Sequence, residues 1–90
     1  MNIGNAIKCI RKAKGISQKD LAQKCELSAN ALCSIENDLS FPSKDSIGRI
    51  CKALEIPEAY LMFFSVSDED VPAEKRTVFN ALKTVLISDL

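Results

Sequence analysis

Two serines eleven residues apart, Ser17 and Ser28, constrain this chain more than any other feature, because each stands where a helix can begin. Ser17 precedes a polar turn with Asp20 three residues on, a capping-box-like start with a carboxylate near the positive helix terminus. The helix it opens spans about 18–25 and turns Leu21, Ala22 and Cys25 inward. Only Glu26 and Leu27 then separate it from Ser28, which caps a second helix over about 29–36 with Leu32 and Ile35 on its inner side. Two helices of eight residues joined by so short a turn cannot lie antiparallel, so they cross steeply.

The flanking sequence supplies a core for that pair. Ile3, Ile7 and Ile10 recur at helical spacing and Gly15 follows, which predicts a helix over 3–14. Asn37 to Pro42 reads as a loop, Ser43 caps a helix over 44–54 with Ile47, Ile50, Cys51 and Leu54 inward, and Pro57 opens a short helix over 57–64 carrying Tyr60, Leu61, Phe63 and Phe64. From Ser65 the composition turns to serine and acid. After Pro72 a last stretch carries Val78, Phe79, Leu82, Val85 and Leu86 on one face. Ninety residues suit one domain. The expected architecture is therefore all-α: a five-helix unit over 1–66, an acidic linker over 67–72 and a C-terminal amphipathic helix over 73–90. The terminal stripe must find cover, either on the five-helix unit or on its copy in a second chain.

Charge and cysteine usage narrow the chemistry. Twelve cations balance twelve acids, yet Lys8, Arg11, Lys12, Lys14, Lys19 and Lys24 face Asp20 alone within the first 25 residues, while Asp68, Glu69, Asp70 and Asp89 lie toward the other end. A basic pole favours phosphate contact, although a solvated helix face has the same composition. The four cysteines, at positions 9, 25, 33 and 51, form no close pair, and the chain has no histidine. Zinc sites take ligands in close pairs, so neither metal nor cofactor is expected, and the thiols read as small apolar fillers. No catalytic constellation and no small-molecule site stand out, so an enzyme is not expected. The longest apolar stretch, Ala59 to Phe64, is far below the roughly 20 residues of a spanning helix, and the first residues lack the pattern of a signal peptide. A cytoplasmic protein with no membrane partner is the expectation.

The spacing Gln18, Ala22, Glu26, Leu32, Ile35 is that of a helix-turn-helix: a small residue in the first helix, a turn four residues later, and two anchors in the second. The run from Lys14 to Glu36, with Phe41-Pro42-Ser43 and Ile50-Cys51-Lys52-Ala53-Leu54 downstream, resembles the phage-repressor-like helix-turn-helix family of XRE or Cro/C1 type over residues 3–64. The resemblance implies five helices, the third lying in the DNA major groove and the N-terminus of the second against a phosphate. It implies that Gln18 contacts the backbone and the edge of the site, that Ala29, Asn30 and Ser34 are exposed recognition positions with Cys33 at their edge, and that Ser28 and Asn37 lie near phosphates. It also implies an ion pair between Arg11 and Glu36. Independent chemistry agrees on the recognition positions, since Asn can pair bidentately with adenine and an Ala methyl can meet thymine.

Two departures stand out. Positions that often hold glycine carry Glu26 and Asp38, so left-handed backbone there is strained. The recognition positions also lack arginine and lysine, which leaves phosphate affinity to Lys44, Lys19 and the cations of the first helix. The sequence thus points to a sequence-specific regulator of transcription, a repressor, binding double-stranded DNA as a homodimer on an inverted repeat. The alternative is a helical interaction module, antitoxin-like or an adaptor, that has lost strong DNA binding.

Overall fold

A computed structural model describes all ninety residues, and they form six α-helices with no strand. The helices are α1 (Ile3–Ala13), α2 (Gln18–Lys24), α3 (Ala29–Glu36), α4 (Lys44–Leu54), α5 (Glu58–Ser65) and α6 (Arg76–Ser88), with single 3-10 turns at Asp68–Asp70 and Ala73–Lys75 between α5 and α6. Ser17, Ser28 and Ser43 all act as expected: each hydroxyl accepts the N–H three residues on, from Asp20, Ala31 and Ser46, at 3.0 to 3.1 Å. Pro57 stands one position outside α5, because its extended ψ of 149° makes it the cap and not the first helical residue.

Ile7, Ile10, Leu21, Leu32, Ile50, Leu54 and Leu61 have no more than a trace of exposed surface and join α1 to α5 into one core. Helix α1 lies at its centre, against α3 on one side and α5 on the other. Gly4 permits the first of these contacts: a Cβ there would sit 2.1 Å from the carbonyl oxygen of Ile35. The start of α1 therefore rests directly on the backbone at the end of α3.

Helices α1 to α4 all end the same way. Gly15, Glu26, Asp38 and Glu55 adopt left-handed backbone, with φ of 70°, 57°, 60° and 58°. The residue after each donates its N–H back five residues, Ile16 to Arg11, Leu27 to Ala22, Leu39 to Ser34 and Ile56 to Cys51, at 2.9 to 3.1 Å. This closes the helix by satisfying a carbonyl that would otherwise lack a partner. Glu26 and Asp38 adopt the strained conformation anticipated for them, and Glu55 adds a third case.

Beyond α5 the chain is tied down rather than loose. The Met1 ammonium meets Asp70 at 2.9 Å and, with the Ser67 backbone and hydroxyl, holds that carboxyl down at about 2. Lys83 donates to the carbonyl of Val66 at 2.7 Å and stands 4.9 Å above the Phe79 ring, which packs against Phe63 at 5.2 Å between centroids. Leu86, Ile87 and Leu90 lie against the core. The single terminal stripe is thereby split. Helix α6 is rotated so that Phe79, Lys83, Leu86 and Ile87 turn toward the domain, while Val78, Leu82 and Val85 stay 64%, 52% and 66% exposed. Its apolar surface is wider than its own domain covers.

The cysteines also divide. Cys25 and Cys51 are buried fillers, but Cys9 is exposed and Cys33 half-buried, so the filler reading is corrected for Cys9, whose side of α1 faces outward. No helix is long and apolar enough to cross a membrane.

Candidate nucleic-acid interface

The surface in question is the outer side of α3, and its rigidity comes from what lies behind it. Leu32 and Ile35 are buried against α1 and α2, and Ala22 lets α2 approach closely. Behind the last turn, Glu36 is 4% exposed and Arg11 8%. Arg11 Nε donates to Glu36 Oε2 at 2.8 Å and its second terminal nitrogen to Oε1 at 3.1 Å, while the first donates to the carbonyl of Ile16 at 2.9 Å. Gln18 Nε2 also donates to Glu36 Oε1, at 3.1 Å. One carboxylate thus ties together α1, the start of α2, and the end of α3.

This geometry amends two sequence readings. Arg11 cannot serve the basic pole, because its charge is enclosed and matched by Glu36. Gln18 is half-buried with one donor spent on that carboxylate, so its carbonyl oxygen and second N–H are what it has left for a ligand.

Ala29 and Asn30 are exposed, and Cys33 and Ser34 lie half-buried beside them. Asn37 is exposed at the C-cap, and its amide donates to Cys33 Sγ at 3.3 Å, so these two form one local unit. Ser28 spends its oxygen on the Ala31 N–H and keeps its hydroxyl hydrogen for an acceptor outside the chain. Ala29, Asn30, Cys33 and Ser34 therefore lie on the outer part of α3, with Ser28 at its N-cap and Asn37 at its C-cap. Lys44, exposed at the first position of α4, is not joined to them by any hydrogen bond; it borders a charged recess with Asp45, Gly48, Arg49, Lys52 and Glu58. Lys19 is exposed on the first turn of α2, beside Gln18.

Two further residues were not singled out from the sequence. Leu39 and Phe41, in the loop after α3, are 80% and 79% exposed. The available signal was their position: two large apolar side chains in a turn-rich loop closed by Pro42, with no periodicity to bury them.

No group of three or more histidine, cysteine or carboxylate side chains converges in the molecule. Burial pushes the Cys25 thiol up and the Cys51 thiol up to about 11.

A helix-turn-helix family model matches residues 7–61, which takes in α2, α3 and the core around them. Over 81 residues the chain is 32% identical to the immunity repressor protein of Bacillus phage phi105, a match covering 90% of this chain and 54% of that protein. The chain spans about half the length of that curated relative. With this match and the all-helical fold, the chain belongs to the phage-repressor-like helix-turn-helix family of DNA-binding regulators.

Proposed function

We propose that the protein is a sequence-specific repressor of transcription that binds an inverted-repeat operator as a homodimer, with α3 in the major groove. The observation that carries the reading is the contrast between the two sides of α3. The inner side is fixed by Leu32, Ile35 and the Arg11–Glu36 pair. The outer side offers small groups and one free amide, Asn30, fit to read adenine, with the Ala29 methyl fit to meet thymine. Gln18, Ser28, Asn37, Lys19 and Lys44 supply donors and charge for phosphates around it. A plain face of this kind reads modestly, and two half-sites on one duplex raise its affinity through effective concentration.

The second reading, an interaction module with weak or no DNA binding, draws on the lack of arginine and lysine on that face and on the exposed apolar side of α6. Selection from a randomised duplex library at moderate salt separates the two. An enriched inverted repeat, with half-sites about 34 to 36 Å or a multiple apart, supports the operator-binding dimer. No enrichment by folded protein overturns it and favours the module.

A further inference from the structure

Helix α6 crosses the domain beside α1 without closing the space between them. A groove of about 410 Å³ remains there, with Ala6, Phe64 and Ile87 as its apolar floor. Ala6 gives it depth, because a longer side chain at that position would occupy the floor. The walls are polar. Asn5 and Cys9 stand four residues apart on α1 and so share one side of it, and Asn80, Lys83 and Thr84 line the groove from α6. Positions 5, 64 and 83 are brought together only by the fold, which is why no small-molecule site stood out in the sequence.

The polar groups of these walls are unevenly satisfied. The Thr84 hydroxyl donates to the Asn80 carbonyl at 2.9 Å, whereas the side-chain amides of Asn5 and Asn80 and the Cys9 thiol make no hydrogen bond within the chain. Lys83 is half-buried, yet no carboxylate pairs with its ammonium. Its partners are a carbonyl dipole, that of Val66, and the Phe79 ring. No carboxylate lines the groove either. A cation held partly out of water without a counter-ion favours an anion brought from outside. Lys83 has two N–H groups left, and each asparagine amide adds two more. A concave site with an apolar floor and a few convergent polar groups is the usual form of a small-molecule site.

We propose that the groove between α1 and α6 binds a small organic monocarboxylate, with the carboxylate at Lys83 and the amides of Asn5 and Asn80 and the hydrocarbon part on Ala6, Phe64 and Ile87. One ammonium matches one negative charge, and the apolar floor offers a second phosphate charge nothing. The ligand bridges the first helix and the last, so it holds α6 to the domain and stabilises the folded chain by mass action. Helix α6 lies outside the residues 7–61 matched by the family model, and the site does not depend on the operator reading. It is nevertheless close to α3 in the packing, because Asn5 adjoins Gly4, which rests on the Ile35 carbonyl.

Three probes that share one hydrocarbon tail test this: hexanoate, hexanol and hexylammonium, each titrated into the DNA-free full chain at neutral pH up to roughly 20 mM and followed by proton–nitrogen correlation spectra. Hexanoate should saturate with a Kd of about 1–5 mM, shift the side-chain amides of Asn5 and Asn80, and slow the alkylation of Cys9 by iodoacetamide. Hexanol should bind about tenfold more weakly, and hexylammonium should leave these signals unmoved. Lys83→Met should bring hexanoate down to the affinity of hexanol. Because Lys83 also fastens α6, a second variant carries the test independently: Asn80→Leu, at an exposed position whose side chain bonds to nothing in the chain, should weaken hexanoate about tenfold with unchanged thermal melting of the free protein. No saturable shift with hexanoate overturns the proposal. Equal binding of the three probes also overturns it, since that is association with the exposed apolar side of α6, and so does hexanoate binding indifferent to Asn80→Leu. DNA is absent throughout, so failure of this site and failure of the operator reading are told apart.

Discussion

Arg11 and Glu36 form a two-point ion pair that is nearly closed to solvent, with Nε to Oε2 at 2.8 Å, although they belong to helices 25 residues apart in sequence. The pair and the Gln18 amide bound to it hold three helices at one carboxylate, and Glu36 sits on the last turn of α3. Removing one partner strands the other charge out of water. Glu36→Ala and Arg11→Ala should each cost about 3 kcal/mol or more in urea-induced unfolding. Replacing both with Leu and Met should recover most of that stability, and a double-mutant cycle on the alanine variants should give clear coupling energy. Additive alanine variants are the outcome that counts against the pair.

Left-handed backbone at Glu26, Asp38 and Glu55 stores strain that glycine would release. The cost for a residue with a Cβ is about 1–2 kcal/mol, part of which glycine gives back through the entropy of its unfolded chain. Glu26→Gly and Glu55→Gly should each stabilise the protein by about 0.5–1 kcal/mol. Asp38→Gly should gain less, because aspartate tolerates this region better than glutamate. Thermal melting of the three single variants gives the ranking directly.

How much of this was legible in the sequence depends on the reach of each signal. Serine caps act over three residues, so Ser17, Ser28 and Ser43 could be read locally and the boundaries of α2, α3 and α4 followed. Leu32 and Ile35 were legible because one turn of helix puts both on the same side. The Arg11–Glu36 pair became legible through family resemblance, while charge arithmetic alone placed Arg11 in a basic pole to which it does not contribute. Glu55 gave no sign of its left-handed turn, since Leu-Glu-Ile carries no turn chemistry. The divided stripe of α6 was hidden for a different reason: periodicity fixes which residues share a side, but the rotation of a helix against its domain is decided by long-range packing, here Phe79 with Phe63 and Lys83 with the Val66 carbonyl.

Gly4 was hidden in the same way, because a glycine in the first turn of a helix looks like a weak position until its neighbour is known. The added methyl of Gly4→Ala meets the Ile35 carbonyl at 2.1 Å. That neighbour is backbone and cannot rotate away. The substitution should cost about 1–3 kcal/mol and displace the end of α3. Gly48→Ala provides the contrast, since the atom nearest to its added methyl is Glu58 Oε1 at 3.6 Å, an ordinary van der Waals distance. There the better helix propensity of alanine should stabilise the protein by about 0.5–1 kcal/mol. Equal effects from the two alanines would remove the close approach as the explanation.

The four thiols should separate by accessibility and charge. Only thiolate reacts with iodoacetamide, and Cys51, held up at about 11 by burial and then by Glu58, carries almost none near pH 8. Burial raises Cys25 as well. Mass spectrometry of the native protein should show Cys9 alkylated first, Cys33 more slowly, and Cys25 and Cys51 only after denaturant is added. Early labelling of Cys51 would show that the packing between α4 and α5 opens in the native state.

On DNA, Asn30 and Lys19 should fail in different ways. Asn30 is exposed on the outer side of α3, and a bidentate pairing with adenine discriminates by about 1–3 kcal/mol. Asn30→Ala should relax preference at one base pair of each half-site and leave the salt dependence of binding unchanged. Lys19 is exposed on the first turn of α2, and with α3 in the groove as proposed its charge is set toward a phosphate rather than a base edge. Lys19→Ala should weaken binding to every sequence alike and make the log-log salt slope shallower by about 0.9 for each phosphate no longer neutralised. With two half-sites occupied, that change doubles. If instead Asn30→Ala alters the slope and Lys19→Ala alters the preferred sequence, the orientation of α3 proposed for the groove is wrong, and α2 is the element that reads the bases.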